Sequence, residues 1–526
     1  MSMHDEHFDA VIVGSGFGGS INALRLAQAG KSVLVLERGK RYKPGEFPRD
    51  IRDVNNLFWR YPRKPDSQGL YELRFFSGLA VMVASGVGGG SLIYANVHIR
   101  PDAEVFADPR WPRSINRQRL DPYYDKVASM LGIAPIPSDI KLAKRDAYRA
   151  AARQTGREVF DPDMAVSWNR PAGPGREACR LSTQCQFGCQ FGAKNTLDLT
   201  YLAQAERLSA QVRTGIYVGH VEPAESGYRV HFKDLADNAS ASVTGTRVVL
   251  SAGTLGTNEI LLRSRDTYRT LPALSRALGY GYSANGDFLG SIQNSRGDLV
   301  PWEGPDVTSV IRYDDVPQHF TMAAPTFSRD VMTVLASLGQ GRNRWLRPFA
   351  PIVWPMLDRL VPWSFQHGLL DHPSRLPAPH AGDPAHMTFL FAIGRDNAKG
   401  VMRLNKGCLD IDWDYARENG TLIDNMTAAM QAICDVYGGT FAPLFTWSIF
   451  RRVLTVHSLG GCHLSESPQT GVVSPRGEVH GYPGLFVADG SVIPTSIGFH
   501  PSMTIAAVSE YIAEGVVNSY ASVEES

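Results

Sequence analysis

The pattern of apolar and polar residues at the start of the chain predicts a strand, a helix and a second strand. Residues 10–13 form an apolar run, and residues 32–36 form another that ends at Glu37. Between these runs, apolar side chains recur at the spacing of one helix face, at Ala23, Leu24, Leu26 and Ala27. We therefore expect a βαβ unit to open the fold.

The same patterns along the rest of the chain predict further elements. Helices are expected at 141–155, 195–209 and 503–517, and strands at 247–250, 387–393 and 485–488, with a hairpin over 216–232 that turns at 225–227. The segment from about 290 to 450 is rich in aromatic residues and has only scattered glycines. It is therefore expected to form a domain of its own.

These elements together predict an α/β protein with two domains. The first is a discontinuous, Rossmann-like nucleotide-binding domain, assigned to residues 1–45, 75–105, 190–290 and 452–526. The second is a substrate domain with a cap or lid, built on an antiparallel sheet with helices and assigned to residues 46–74, 106–189 and 291–451.

The turn after the first strand has the sequence G-x-G-x-x-G, formed by Gly14, Gly16, Phe17, Gly18 and Gly19. Gly14 permits the tight turn, Gly16 lets the backbone approach a pyrophosphate, and Gly19 lets the helix pack on the strand. Glu37 follows at the distance typical of an acid that hydrogen-bonds a ribose hydroxyl. The unit predicts a dinucleotide site, but it does not separate FAD from NAD.

A second glycine-rich segment lies at 86–90, between apolar flanks. Glycines this dense suit a backbone wrapped closely on a ligand, and the apolar flanks argue against a flexible linker.

Composition narrows the class of protein. The 526 residues include 53 basic and 52 acidic side chains, so nothing indicates nucleic-acid binding. We find no secretory signal and no apolar run of the roughly 18 residues that span a membrane, and expect a cytoplasmic protein. The six cysteines are too few for a disulfide framework.

Two histidines lie in short, glycine-containing loops near the return to the nucleotide-binding domain. They are His457, in V-H-S-L-G-G-C, and His500, in G-F-H-P-S-M-T. An imidazole titrates in the range needed to take a proton from an alcohol while a hydride leaves its carbon. The pair is therefore the candidate catalytic site.

The chain resembles the glucose–methanol–choline (GMC) flavin oxidoreductases, and most closely their cholesterol oxidase-like branch. The resemblance rests on four separated motifs, at 14–37, 86–96, 248–257 and 456–504. It implies that the dinucleotide is FAD and that His457 and His500 are catalytic. It also implies cofactor contacts at Gly88, Gly89, Gly90, Ser91, Asn96, Val218, Ala252, Gly253, Asp489, Gly490 and Thr504.

Two positions depart from the pattern of cholesterol oxidases. Those enzymes typically carry asparagine where this chain has His500, as sugar-oxidising relatives do. They also place a glutamate, which isomerises the steroid double bond, where this chain has Ala385. Coupled isomerisation is therefore not expected, and both departures favour a sugar or other polar alcohol over cholesterol itself.

Three cysteines are clustered, at Cys179, Cys185 and Cys189. Thiolates at this spacing suit a three-iron cluster, as in similar membrane-associated flavin dehydrogenases of the family, and the alternative is three packed thiols. The segment 342–370 is rich in tryptophan, proline and arginine. It is interpreted as a lid over the substrate, with peripheral membrane contact as the alternative.

The sequence thus predicts an FAD enzyme that oxidises a secondary alcohol on a bulky, apolar, sterol-like molecule. One alternative is a dehydrogenase of a sugar or other polar alcohol that passes electrons through the cysteine cluster. Another is a flavin electron-transfer protein without an alcohol substrate. The electron acceptor is oxygen, a quinone or a redox protein.

Overall fold

The computed structural model describes residues 6–49, 54–61, 64–333 and 383–524. The segment 342–370 lies outside these residues. The described helices are α1 (Phe17–Gln28), α2 (Val54–Leu57), α3 (Arg117–Leu131), α4 (Ala143–Gln154), α5 (Tyr201–Arg207), α6 (Gly253–Leu262), α7 (Tyr415–Glu418), α8 (Gly420–Tyr437), α9 (Phe445–Phe450) and α10 (Ser502–Glu524). Of these, none combines the length and the apolar character that a membrane crossing requires.

The described strands of the first half of the chain are β1 (His7–Val13), β2 (Val33–Leu36), β3 (Trp59–Tyr61), β4 (Lys64–Gln68), β5 (Tyr71–Phe75), β6 (Leu79–Ala84), β7 (Val97–His98), β8 (Val159–Phe160), β9 (Asp163–Met164), β10 (Gln211–Arg213), β11 (Ile216–Ala224), β12 (Gly227–Asp234) and β13 (Ser240–Leu250). Those of the second half are β14 (Tyr280–Tyr282), β15 (Phe288–Gln293), β16 (Val310–Tyr313), β17 (Phe320–Ala323), β18 (Thr388–Gly394), β19 (Gly400–Asn405), β20 (Cys408–Asp412), β21 (Thr440–Pro443), β22 (Val453–Thr455) and β23 (Leu485–Val487).

A seven-stranded sheet carries the nucleotide-binding half in the order β10-β2-β1-β13-β12-β11, with β23 also paired to β13. Strand β13 has two partners on one side: its first part pairs antiparallel with β12, and its end pairs parallel with β23. The register puts Val13, Leu250 and Val487 in one row. The carboxyl ends of three parallel strands therefore meet at one edge, where open α/β sheets bind ligands.

The predicted α/β fold is confirmed, and the opening βαβ unit forms as β1, α1 and β2. Residues 10–12 are completely buried, which explains why the first strand is apolar throughout rather than alternating. The helix expected at 195–209 is shorter, because only 201–207 is α-helical. Thr200, just before it, has a non-helical backbone, with φ −120° and ψ −89°.

The substrate half rests on a six-stranded antiparallel sheet in the order β21-β15-β18-β17-β16-β8. Helix α8 packs on β15 and β18. Since side chains alternate along a strand, Leu390 and Ala392 of β18 share one face and Phe389 and Phe391 share the other. The domain border expected at 74–75 falls inside β5, which pairs with β6 along a single hairpin.

Candidate active site

The glycine turn packs α1 tightly against neighbouring backbone. Gly14 has a left-handed φ of 94°, and a β-carbon there would overlap the carbonyl of Ser251. A β-carbon at Gly18 would overlap the carbonyl of Ala488, and one at Gly19 would overlap that of Gly14. Gly18, which the sequence groups with the cofactor residues, therefore serves helix packing, as Gly19 does.

Gly16 faces open space instead. The nearest atom that its β-carbon would meet is Gly89 Cα, 4.0 Å away, and a β-carbon at Gly90 would meet nothing within 4 Å. Helix α1 begins at Phe17, and no side chain caps its first turn. Unsatisfied N–H groups at a helix N-terminus bind anions, so this opening fits a phosphate group.

Glu37 is buried beside the glycine turn. One carboxylate oxygen accepts hydrogen bonds from the backbone N–H and the hydroxyl of Ser15, at 3.1 and 2.6 Å, and the other accepts from Gly39 N at 2.8 Å. A carboxylate has lone pairs beyond these three bonds. Glu37 therefore shapes the turn and keeps acceptor capacity for a ribose hydroxyl.

The second glycine segment joins the first through the hydroxyl of Ser15, which accepts from Gly88 N at 3.1 Å. Ser91 Oγ accepts from Leu197 N at 3.0 Å and so ties the same segment to the turn at 197–199. Asn96 is completely buried with a left-handed φ of 65°, and neither atom of its amide has a protein partner in the described part of the chain. Buried amides are almost always hydrogen-bonded, so Asn96 indicates a ligand group at this position.

Asp489 closes the far side of the cradle. One oxygen accepts from Gly253 N at 3.0 Å and Thr257 Oγ at 2.6 Å. The other accepts from the N–H and hydroxyl of Ser491, at 2.8 and 2.5 Å. With four protein donors satisfied, the carboxylate organises the loop rather than offering a free oxygen to a ligand.

The remaining cofactor candidates border the same cradle or lie at its margins. Ala252 precedes α6, and Gly490 O accepts from Gly460 N at 3.0 Å. Thr504, in the first turn of α10, lies 3.0 Å from Tyr124 Oη through its hydroxyl. Val218 is buried on β11, two residues after Ile216, whose backbone N–H donates to Glu37 O at 2.9 Å.

His457 and His500 meet in space. Their ring centroids lie 5.6 Å apart with the planes at 75°. Phe391 of β18 stacks parallel on His457 at 5.4 Å and meets His500 edge-on at 6.5 Å. The two candidate bases predicted from the sequence therefore belong to one site, and the ring of Phe391 forms one side of it.

A buried carboxylate orients His457. Asp287 is completely buried, and its Oδ1 lies 2.8 Å from His457 Nδ1. Its Oδ2 accepts from Val456 N at 2.8 Å. Because a carboxylate only accepts, the ring hydrogen is assigned to Nδ1, which leaves Nε2 as the free acceptor.

His500 is buried, and its Nδ1 has no protein partner among the described residues. Burial lowers the pKa of His500 well below its usual range, and the neighbouring His457 and His98 lower it further. His98 is itself buried, and burial lowers its pKa to about 3. His500 is therefore a neutral imidazole at neutral pH.

An apolar surface extends from the histidine pair along β18. Phe389, on the same face as Phe391, contacts Phe327 edge-on at 5.6 Å. Met332 and Met387 pack into the same cluster, and they are buried, as are Phe389 and Phe391. The side of the histidine pair that faces β18 is therefore apolar.

The three clustered cysteines do not converge as ligands. In the part of the chain that the structure describes, the one group of three or more metal-ligating atoms within 4.8 Å of one another is His220, Glu222 and His231. Burial raises the pKa of Cys179 to about 11 and that of Cys185 well above its usual value. Both thiols are thus held protonated in the metal-free protein.

Three residues that the structure brings to the histidine pair were not predicted from the sequence: Asp287, His98 and Phe391. Asp287 lies in a turn without a recognisable motif, far from His457 along the chain. Phe391 falls in a predicted strand, and only the pairing of that strand shows which face meets the histidines.

A dinucleotide cradle beside a pair of imidazoles defines the class of protein, because an oxidoreductase brings its redox cofactor and a proton acceptor to one substrate. Comparison with family models agrees: two models described as GMC oxidoreductase match residues 8–266 and 409–509. The chain belongs to the GMC oxidoreductase family, and it is an FAD-dependent enzyme that acts on CH–OH donors.

Two relatives and one solved structure extend this finding. The chain is 31% identical to a cholesterol oxidase of Mycobacterium tuberculosis over 96% of this chain and 90% of the relative. It is 27% identical to a cholesterol oxidase of Acinetobacter baumannii, over 97% and 94%. The crystal structure of pyridoxine 4-oxidase from Mesorbium loti has a similar fold, with a TM-score of 0.63 at 18% identity over 96% of this chain and 98% of that one.

The residues present fit FAD. The uncapped start of α1 and the space at Gly16 suit its pyrophosphate, and the unpartnered amide of Asn96 supplies a donor and an acceptor for a further polar group.

Proposed function

We propose that the protein oxidises bulky, apolar secondary alcohols, sterols among them, to ketones. The observation that carries this proposal is the aromatic cluster beside the histidine pair, formed by Phe391, Phe389 and Phe327, in which the buried ring of Phe391 contacts both imidazoles. An apolar wall at the reacting centre favours an apolar substrate, which gains about 25 cal/mol for each Å² of apolar area that it buries on binding. Similarity to two cholesterol oxidases over nearly the whole chain supports the same substrate class.

In this proposal, His457 removes the proton of the substrate hydroxyl. Its Nε2 is the acceptor, because Nδ1 carries its hydrogen toward Asp287. His500, neutral and at the edge of the same space, holds the hydroxyl by a hydrogen bond. When bound, FAD supplies at N5 the acceptor for the hydride that leaves the carbinol carbon.

We further propose that the electrons leave without an iron–sulfur cluster. Cys179, Cys185 and Cys189 are interpreted as packed thiols, because their sulfur atoms do not gather within 4.8 Å of one another in the part of the chain that the structure describes. Oxygen or a quinone then takes electrons directly from the flavin. Chemical analysis for iron and acid-labile sulfide tests this point, and comparable amounts of both in anaerobically prepared protein would contradict it.

Oxidation of a sugar or other polar alcohol is the second candidate. His500, where cholesterol oxidases carry asparagine, favours it. Ala385 is buried in a short turn before β18 and brings no carboxylate for isomerising a steroid product. If a sterol is the substrate, the expected product is therefore the unconjugated ketone.

A substrate panel tests the proposal. The flavin-loaded protein is mixed anaerobically with cholesterol, a long-chain secondary alcohol or glucose, and loss of the oxidised flavin absorbance is followed. Bleaching by the apolar alcohols alone is expected, with a product that lacks the ultraviolet band of a conjugated enone. Bleaching by glucose alone would favour the second candidate. A flavin that no alcohol reduces, but a protein donor does, would favour the electron-transfer alternative.

A further inference from the structure

One buried turn, formed by Asn285, Gly286 and Asp287, contacts the loops of both histidines. It joins β14 to β15, and Asn285 and Asp287 are completely buried. Side chains two residues apart in this turn reach separate loops, one at 455–457 and the other at 497–499. The turn thus touches both loops through its side chains.

Asp287 faces the first loop. Besides His457 Nδ1 at 2.8 Å, its carboxylate receives Val456 N at 2.8 Å and lies 2.9 Å from the hydroxyl of Thr455. The backbone of the loop and the ring that it carries are therefore held by the same side chain, which fixes both the position and the orientation of the imidazole.

Asn285 faces the second loop. Its amide oxygen accepts from Ile497 N and Gly498 N, at 2.7 and 3.1 Å, and its amide nitrogen donates to Phe499 O at 2.8 Å. These three bonds fix the backbone that leads directly into His500. Asn285 adopts a left-handed φ of 51°, a conformation that asparagine tolerates better than most residues.

The turn itself is held in one conformation. Asp396 accepts from Ala284 N and Gly286 N, at 2.9 and 3.1 Å. Gly286 has a φ of 64°, and a β-carbon there would overlap the backbone of Gly394 on β18. The turn is therefore anchored to the strand that carries Phe391.

We infer that this turn positions both histidines, and that Asp287 is a positioning residue which sets the tautomer of His457 and stabilises the imidazolium formed when it takes the substrate proton. The inference rests on the proposed function of His457. The proton moves from the substrate hydroxyl to Nε2, while Nδ1 keeps its own proton in the hydrogen bond to Asp287. FAD, which the residues around Gly16 and Asn96 would hold, would supply the acceptor for the hydride and its electron pair.

Asp287→Asn in the flavin-loaded protein tests the inference, because asparagine keeps the shape and removes the charge. A hydrogen bond to a charged partner is worth roughly 10- to 100-fold in rate, so flavin reduction is expected to slow by about that factor at unchanged flavin content. Asp412→Asn, an exposed carboxylate on β20 that contacts neither histidine, is the matched control and is expected to keep the wild-type rate.

A proton spectrum supplies a readout independent of turnover. A histidine N–H that donates to a buried carboxylate gives a far-downfield proton signal. The signal is expected in the wild type and in His500→Ala, and its absence is expected in His457→Ala and Asp287→Asn. Asp287→Ala, with a folded core by circular dichroism, serves as the second variant if the asparagine variant is unstable.

The outcomes separate this inference from the proposed function. If Asp287→Asn keeps both the downfield signal and the rate, the positioning role is wrong. If the signal depends on Asp287 but neither Asp287→Asn nor His457→Ala changes the rate, the orientation is right and His457 is not the base. For the second loop, Asn285→Ala is expected to slow reduction about 10-fold and keep the signal, and an unchanged rate would overturn the claim that the turn serves both histidines.

Discussion

The nucleotide cradle is built mainly from backbone, whereas the histidine pair is built from side chains. In the cradle, glycines at 14–19 and 86–90 bring main-chain segments close to one another and leave space at Gly16 and Gly90. In the pair, Asp287, Phe391, His457 and His500 arrive from four separate parts of the chain. We therefore expect substitutions in the cradle to change how much FAD the protein binds. Substitutions around the histidine pair are expected to change how fast the bound FAD is reduced.

The largest effect is expected from Gly16→Val. The protein has room for a β-carbon there, so the variant is expected to fold, but the added side chain occupies the space assigned to the pyrophosphate. The purified variant should be colourless, with the flavin absorbance lost. Gly173→Val is the control, because a β-carbon at Gly173 meets nothing within 4 Å and the residue lies away from the cradle. A yellow Gly16→Val protein with full flavin occupancy would contradict the assignment of this space to the pyrophosphate.

His500→Ala is expected to show the opposite pattern, with full flavin content and slower reduction. Loss of one hydrogen bond to the alcohol oxygen corresponds to about 1–2 kcal/mol, or roughly a 5- to 30-fold loss of rate. Single-turnover reduction measures it. A variant that loses its flavin instead would show that His500 serves cofactor binding rather than the reaction.

Phe389→Ala tests whether the aromatic cluster on β18 contributes to substrate binding. Removal of its ring is expected to raise KM for a long-chain or sterol alcohol about tenfold, the equivalent of ~1.4 kcal/mol of apolar contact, with a small change in kcat. Phe160→Ala on β8, at the far edge of the same sheet, is the control. An unchanged KM in Phe389→Ala would remove the main support for an apolar substrate.

The last prediction concerns stability against pH, where the effect at neutral pH is the smallest and grows only as the solution becomes acidic. The pKa of His98 is lowered to about 3 in the folded protein, so the unfolded chain binds the proton first as pH falls. Stability is therefore full above about pH 6.5 and falls by about 1.4 kcal/mol per pH unit below it for each such histidine. Urea unfolding of His98→Asn should show a shallower acid slope than wild type or His7→Gln, an exposed control. Equal slopes would mean that His98 is not held neutral.

The cradle was the part of the site that sequence could predict. Gly14, Gly16, Gly19 and Glu37 lie within one βαβ unit, where chain order fixes spatial order, so their positions follow from local pattern. The packing role of Gly18 does not follow, because its neighbour Ala488 comes directly after the last strand of the sheet, far away along the chain.

The residues that contact the two histidines could not be predicted from local sequence patterns, because they too come from distant parts of the chain. His457 and His500 were predicted as candidates from their loops, but Asp287 is 170 residues from His457 along the chain and precedes a strand of the other domain. The domain borders and the cytoplasmic location stay predictions.

Anaerobic stopped-flow reduction of His457→Ala, beside wild type and with the best alcohol of the substrate panel, tests the central claim most directly. Loss of a general base costs about two to four orders of magnitude in rate. We expect the variant to carry a full complement of FAD, and we expect the rate of its reduction by the alcohol to be about 100- to 10,000-fold lower than in the wild type. Reduction at the wild-type rate would contradict the assignment of His457 as the proton acceptor.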